Sequence, residues 1–74
     1  MTMALQLGRA EVLARQHAAD HGMEVTVHRS RWLGPAQMRD GKRYRVAELI
    51  IQDTPHSGLT VRLELCSDGS AIVV

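Results

Sequence analysis

Hydrophobic positions change their period once along this chain, at Gly22. Before it, from Leu7 to His21, the pattern is helical. At about 100° per residue, Leu7, Ala10, Leu13, Ala14, His17 and Ala18 share one face, while Arg9, Glu11, Arg15, Gln16 and Asp20 lie elsewhere. Glu11 and Arg15 stand at a favourable i,i+4 spacing, and Gly22 is a C-terminal stop. Thr2 could cap a longer helix, which Gly8 would weaken by about 1 kcal/mol.

After Gly22 the period is two. Met23, Val25 and Val27 alternate with Glu24, Thr26 and His28. Ala47, Leu49 and Ile51 occupy odd positions of a run from Arg43 to Gln52, and Leu59, Val61, Leu63 and Leu65 alternate with Thr60, Arg62 and Glu64. Turn-forming clusters separate the runs: "LGPAQMRDG", "DTPHSG" and "SDGS" before the closing "AIVV". Asp68-Gly69 reads as a two-residue hairpin turn, since a type I′ turn needs positive φ at both central positions. The pattern predicts one α-β-β-β-β domain over residues 1–74: an α+β fold with the N-terminal helix packed on a four-stranded antiparallel meander in the order 1-2-3-4.

Requiring one buried face sets the register. The first hairpin pairs Met23 with Ile51, Val25 with Leu49 and Val27 with Ala47. The second pairs Ile51 with Leu59, Leu49 with Val61 and Ala47 with Leu63. The third pairs Leu65 with Ile72 and Leu63 with Val74. All three agree on which side is apolar, and such agreement between levels marks a specified fold.

Charge changes the picture. The stretch "HRSRWLGPAQMRDGKRYR", residues 28–45, carries six Lys or Arg and one acid, against three and seven in the other 56 residues, for a net charge of +1. Continued toward its tip, the first hairpin sets Arg29 opposite Arg45 and Arg31 opposite Arg43, all on the face that is apolar further down. Arg39 and Lys42 lie near the tip. Trp32 and Tyr44 fall on the opposite face as diagonal neighbours. Facing like charges destabilise a strand pair, so this arm either splays its arginines into water or answers an anionic partner. The guanidinium fork suits carboxylates and phosphates, and an exposed Trp and Tyr among arginines has the composition of an interaction hot spot.

Candidate chemistries are thin. His17 and His21 have the i,i+4 spacing of a metal pair, but His28, His56 and Cys66 stand at no recognised ligand spacing. "GPAQMRDGKR" departs from a phosphate-binding loop, with six residues between its glycines and Arg43 after the lysine. Ser57 beside His56 is not a triad, and Cys66 lacks a neighbouring cation on an outward position. Glu48 faces Arg62, which reads as a structural ion pair. The sequence therefore predicts a non-enzymatic protein without cofactor or metal.

A single cysteine and a start, "MTMALQLG", without a basic leader region predict a cytoplasmic setting, and no apolar run reaches membrane-spanning length. By analogy of size and class alone, compact α+β chains of this kind occur among phage and mobile-element accessory proteins, CRISPR inhibitors included. The expected function is a protein-binding module, acting as inhibitor, adaptor or regulator, that docks Arg29, Arg31, Trp32, Arg39, Lys42, Arg43, Tyr44 and Arg45 onto an acidic surface of a larger protein. Nucleic-acid binding through the same arm is the alternative. The element order resembles that of the double-stranded RNA-binding domain, whose second, lysine-rich helix has no counterpart in "AIVV". The C-terminal edge strand offers a route to a homodimer.

Overall fold

The computed structural model describes residues 5–54 and 57–74, so the proposed cap Thr2 and the residue His56 lie outside the described residues. Helix α1 runs Leu7–Asp20, followed by strands β1 (Thr26–Trp32), β2 (Gln37–Arg39), β3 (Lys42–Thr54), β4 (Ser57–Cys66) and β5 (Ala71–Val73). The architecture is the expected α+β, with one helix on an antiparallel sheet and, among the described residues, five strands rather than four. Among the described residues no helix is long and apolar enough to cross a bilayer.

Three alanines spaced i, i+4 and i+8 carry the helix onto the sheet: Ala10, Ala14 and Ala18 are buried. Leu7 and Leu13 flank them, half-buried against the core. His17, expected on the buried stripe, is exposed, because the alanine row is narrower than the six-residue face drawn from the sequence. Backbone bonds from Gly22 N to Ala19 O (3.0 Å) and Met23 N to Ala18 O (2.9 Å) close the helix in a Schellman motif.

β3 is the spine of the sheet. β4 pairs along one edge, and β5 pairs with β4; along the other edge β1 and β2 lie end to end, so the path is β1-β3-β4-β5 with β2 paired to β3 off that path. The β3–β4 register is the one read from the sequence: Ala47 opposite Leu63, Leu49 opposite Val61, Ile51 opposite Leu59. The other two hairpins differ. Val27 faces Ile51, not Ala47, and Met23 precedes the strand. The cause is a tighter turn than the wide loop expected. Asp40 (φ 53°) and Gly41 (φ 75°) both sit at positive φ, as a type I′ turn requires, and join β2 directly to β3. β2 takes the first partners of β3, so β1 must pair further along.

The last hairpin is one residue longer in its turn than expected. Gly69 N donates to Cys66 O (3.0 Å) and Cys66 N to Ser70 O (2.9 Å), a three-residue loop with Gly69 at φ 95°. Leu65 therefore faces Ala71, and Leu63 faces Val73. Ile72, expected inside, points away from the core and is exposed.

Ala10, Ala14, Ala47, Leu49, Ile51, Leu63 and Leu65 form one buried cluster. A fully buried aliphatic side chain contributes about 1.5–3 kcal/mol. The helix, about 21 Å long at 1.5 Å per residue, spans only part of a molecule 41 Å in length. Beyond its reach the same sheet face opens, and Leu59 on it is 57% exposed.

Candidate functional site

A β-bulge at His28 decides where the cationic segment goes. Val27 pairs with Ile51 and Arg29 with Ile50, so one extra residue enters β1 and every later side chain changes face. Arg29 and Arg31 consequently join Ile50 and Glu48 on the open face of the sheet, away from the helix. Arg45, opposite Leu65, keeps the helix-bearing face, and Arg43 has the same parity. The arm with four arginines on one side does not form.

The aromatic pair is divided in the same way. Trp32, opposite Ala47, packs half-buried against the core, with the Arg45 guanidinium 4.6 Å above its ring. Arg45 Nε also donates to Gly34 O at 2.7 Å. Tyr44 lies on the open face, where Arg39 sits 4.1 Å over its ring and bonds Glu64 Oε1 at 2.6 Å. Both rings are thus capped by a cation. Lys42 Nζ reaches Asp68 Oδ2 at 3.1 Å, and the backbone N–H of Arg43 donates to Ser67 Oγ at 3.1 Å.

Cys66 keeps the outer face read from its parity, with Tyr44 and Glu64, and is nevertheless buried there. It lies across from Tyr44 at the turn end of β4. The Asp68 carboxyl is held well below the usual carboxylate range, first by the Ser70 hydroxyl and backbone N–H, then by the Cys66 thiol and Lys42. The Ser70 donors stand 2.6 and 2.8 Å from Asp68 Oδ1. Lys42 is raised in turn by its bond to Asp68.

On the open face one cluster retains an excess of positive charge. Glu48 Oε1 accepts from Arg31 Nε (3.0 Å) and Nη2 (2.9 Å), while Oε2 accepts from Arg62 Nε (3.2 Å). These bonds, Arg31 first, lower the Glu48 carboxyl below its ordinary value. Arg29 stands beside them across from Ile50, and a hollow of about 210 Å³ is bounded by Arg29, Arg31, Glu48 and Ile50. The Glu48 side chain is 13% exposed, against 63% for Arg31 and 57% for Arg62. The carboxylate is withdrawn and its two arginines project past it. Three cations therefore stand about one anion on the open face of the sheet.

Arg62 joins this cluster although the sequence marked it only as the ion-pair partner of Glu48. That pairing was legible from the β3–β4 register. The arrival of Arg29 and Arg31 on the same face depended on the bulge.

His17 and His21 sit with ring centroids 4.6 Å apart, and His21 Nδ1 lies 2.9 Å from the backbone O of His17. Among the described residues no group of three or more His, Cys, Asp or Glu side chains converges. No protein-family model matches this chain, nor does any curated protein or solved structure.

Proposed function

We propose that this chain is a small, non-enzymatic protein-binding module that docks the open face of its sheet onto an acidic surface of a larger protein, as an inhibitor, adaptor or regulator. The observation that carries the reading is the Glu48 cluster. One withdrawn carboxylate holds Arg31 and Arg62 in fixed orientation, with Arg29 adjacent and the apolar Ile50 between. Guanidinium groups held in place by a neighbour lose less rotamer entropy on binding, and their remaining N–H donors suit carboxylates in a forked geometry. Charge complementarity of this kind speeds encounter and selects acidic partners over basic ones.

The same cations would attract phosphates, so nucleic acid is the second reading. Single-strand binding rests on free aromatic faces for base stacking. Here Trp32 lies under Arg45 and Tyr44 under Arg39. The protein partner is therefore favoured.

The test is a titration of a fluorescein-labelled oligoglutamate peptide, a single-stranded RNA and a DNA duplex, at low and moderate salt. The Arg29→Ala/Arg31→Ala double variant and an Arg15→Ala control on the exposed side of the helix accompany the unaltered chain. The expected result is peptide binding that the double variant loses and the control retains. Binding of RNA or duplex DNA in preference to the peptide would replace this reading with the second. Peptide binding unchanged in the double variant would remove the open face as the site.

A further inference from the structure

His17 and His21 take no part in the open face of the sheet, and their geometry answers a different chemistry. His21 Nδ1 lies 2.9 Å from the backbone O of His17. A carbonyl oxygen can only accept, so in the neutral ring Nδ1 carries the proton and Nε2 keeps the lone pair. Metal-binding histidines are held in this way, one nitrogen donating to a backbone carbonyl while the other faces the ion. The His17 ring, exposed beside it, can present either nitrogen. Two imidazoles sharing one ion at about 2.0–2.1 Å and about 90–110° have ring centroids roughly 4.5–5.2 Å apart. The two centroids here are 4.6 Å apart, with the ring planes tilted by 52°.

The way the helix ends supplies a third donor. The bonds from Met23 N to Ala18 O and from Gly22 N to Ala19 O make Met23 the residue of the Schellman motif that packs back on the last turn, to which His17 belongs. Met23 is exposed, and it lines one groove of about 380 Å³ together with His17 and His21. Most of the remaining lining is aliphatic, Leu59, Val61 and Val73 included, and no carboxylate or cysteine lines the groove among the described residues. Arg62 also borders it, but its guanidinium is bound to Glu48 on the open face. The soft donors on offer are therefore two imidazole nitrogens and one thioether sulfur.

We propose that His17, His21 and Met23 bind a cuprous ion. Thioether sulfur is a soft donor that selects Cu⁺, and imidazole suits copper equally. Calcium and magnesium take oxygen donors. Structural zinc takes four ligands, and the groove offers neither the thiolate nor the carboxylate that would complete such a set. Three uncharged donors match a singly charged ion, which also costs less to bring against an apolar wall than a divalent one. The methionine is the donor that histidine spacing alone does not announce, because the helix cap brings it to the pair. The site is separate from Arg29 and Arg31, so its test is independent of the function proposed above.

The test uses the whole chain without oxygen, with Cu⁺ kept reduced by ascorbate and its affinity measured by competition with bicinchoninate. Cu⁺ is diamagnetic, so nuclear magnetic resonance reads the site directly. The imidazole C–H signals of His17 and His21 and the methyl signal of Met23 should move together as an equimolar amount is added. His17→Gln and His21→Gln should each weaken binding by more than about a hundredfold, beyond the loss expected of an outer-shell partner. Met23→Leu should weaken it by at least about tenfold. His28→Gln and Arg29→Ala/Arg31→Ala should bind as the parent does. The three proposed ligands are exposed, so far-UV circular dichroism of their variants should stay that of the unaltered chain. Zn²⁺ should leave the Met23 methyl signal in place. The proposal is overturned by the absence of Cu⁺ binding, by a Met23 methyl that Cu⁺ does not move, or by changes confined to Cys66, Met38 or any other residue.

Discussion

Leu49 and Leu59 stand on the same face of the sheet, in neighbouring strands, yet differ in burial from 0% to 57% exposed. Truncating each to alanine measures how far the helix reaches. Leu49 lies in the cluster with Ala10, Ala14 and Ala47, where a lost side chain leaves a cavity. Leu→Ala at such a site costs about 3–5 kcal/mol. A chain of 74 residues has a total stability of roughly 4–11 kcal/mol, so Leu49→Ala should lose a large share of it. With a urea slope of about 1 kcal/mol/M for a domain this small, the midpoint should fall by about 3–5 M. At Leu59 less than half of the side chain is withdrawn from water and no cavity forms, so the loss should be about 1 kcal/mol or less. Urea titrations followed by far-UV circular dichroism and Trp32 fluorescence give both values. Equal losses at the two positions would refute the partial cover of the sheet by the helix. A loss under about 1 kcal/mol at Leu49 would refute the register itself.

Glu48 and Asp68 both have folded carboxyls below their ordinary range. Their contribution is therefore complete above the unfolded carboxylate pKa and is lost as pH falls toward the folded values. The melting temperature should hold from neutrality to about pH 5 and decline below about pH 4, less steeply in Asp68→Asn. Cys66, buried and free, should react with a thiol reagent only as fast as the chain opens, and at once in denaturant; rapid labelling of the folded chain would contradict its burial. Gly41→Ala, at φ 75°, should destabilise by about 1 kcal/mol. Gly8→Ala, in the helix with open space around the added Cβ, should stabilise by up to about the same amount in the same denaturation assay.

The helix, the β3–β4 pairing and the apolar layer were readable because each repeats a local rule. Leu49, Val61 and Leu63 keep strict alternation through two strands whose pairing has no bulge from Tyr44 to Ile51. The cationic site was not readable in the same way. Parity carries information only until a bulge, and the extra residue at His28 sends Arg29 and Arg31 to one face while Arg45 stays on the other. The two Asp-Gly pairs show the same limit. Asp40-Gly41 makes the two-residue type I′ turn, whereas Asp68-Gly69 is the end of a three-residue loop. Both carry the turn signal, and only the strands on either side choose between them.

Sequence alone determined that an alanine-lined helix would cover an aliphatic sheet, because side-chain period and burial are local properties of a chain in water. Tertiary structure decided which cations share a surface, which cation caps each aromatic ring and where the helix stops short. Those outcomes depend on the offset between strands far apart in sequence, where a shift of one residue moves a side chain from one face to the other.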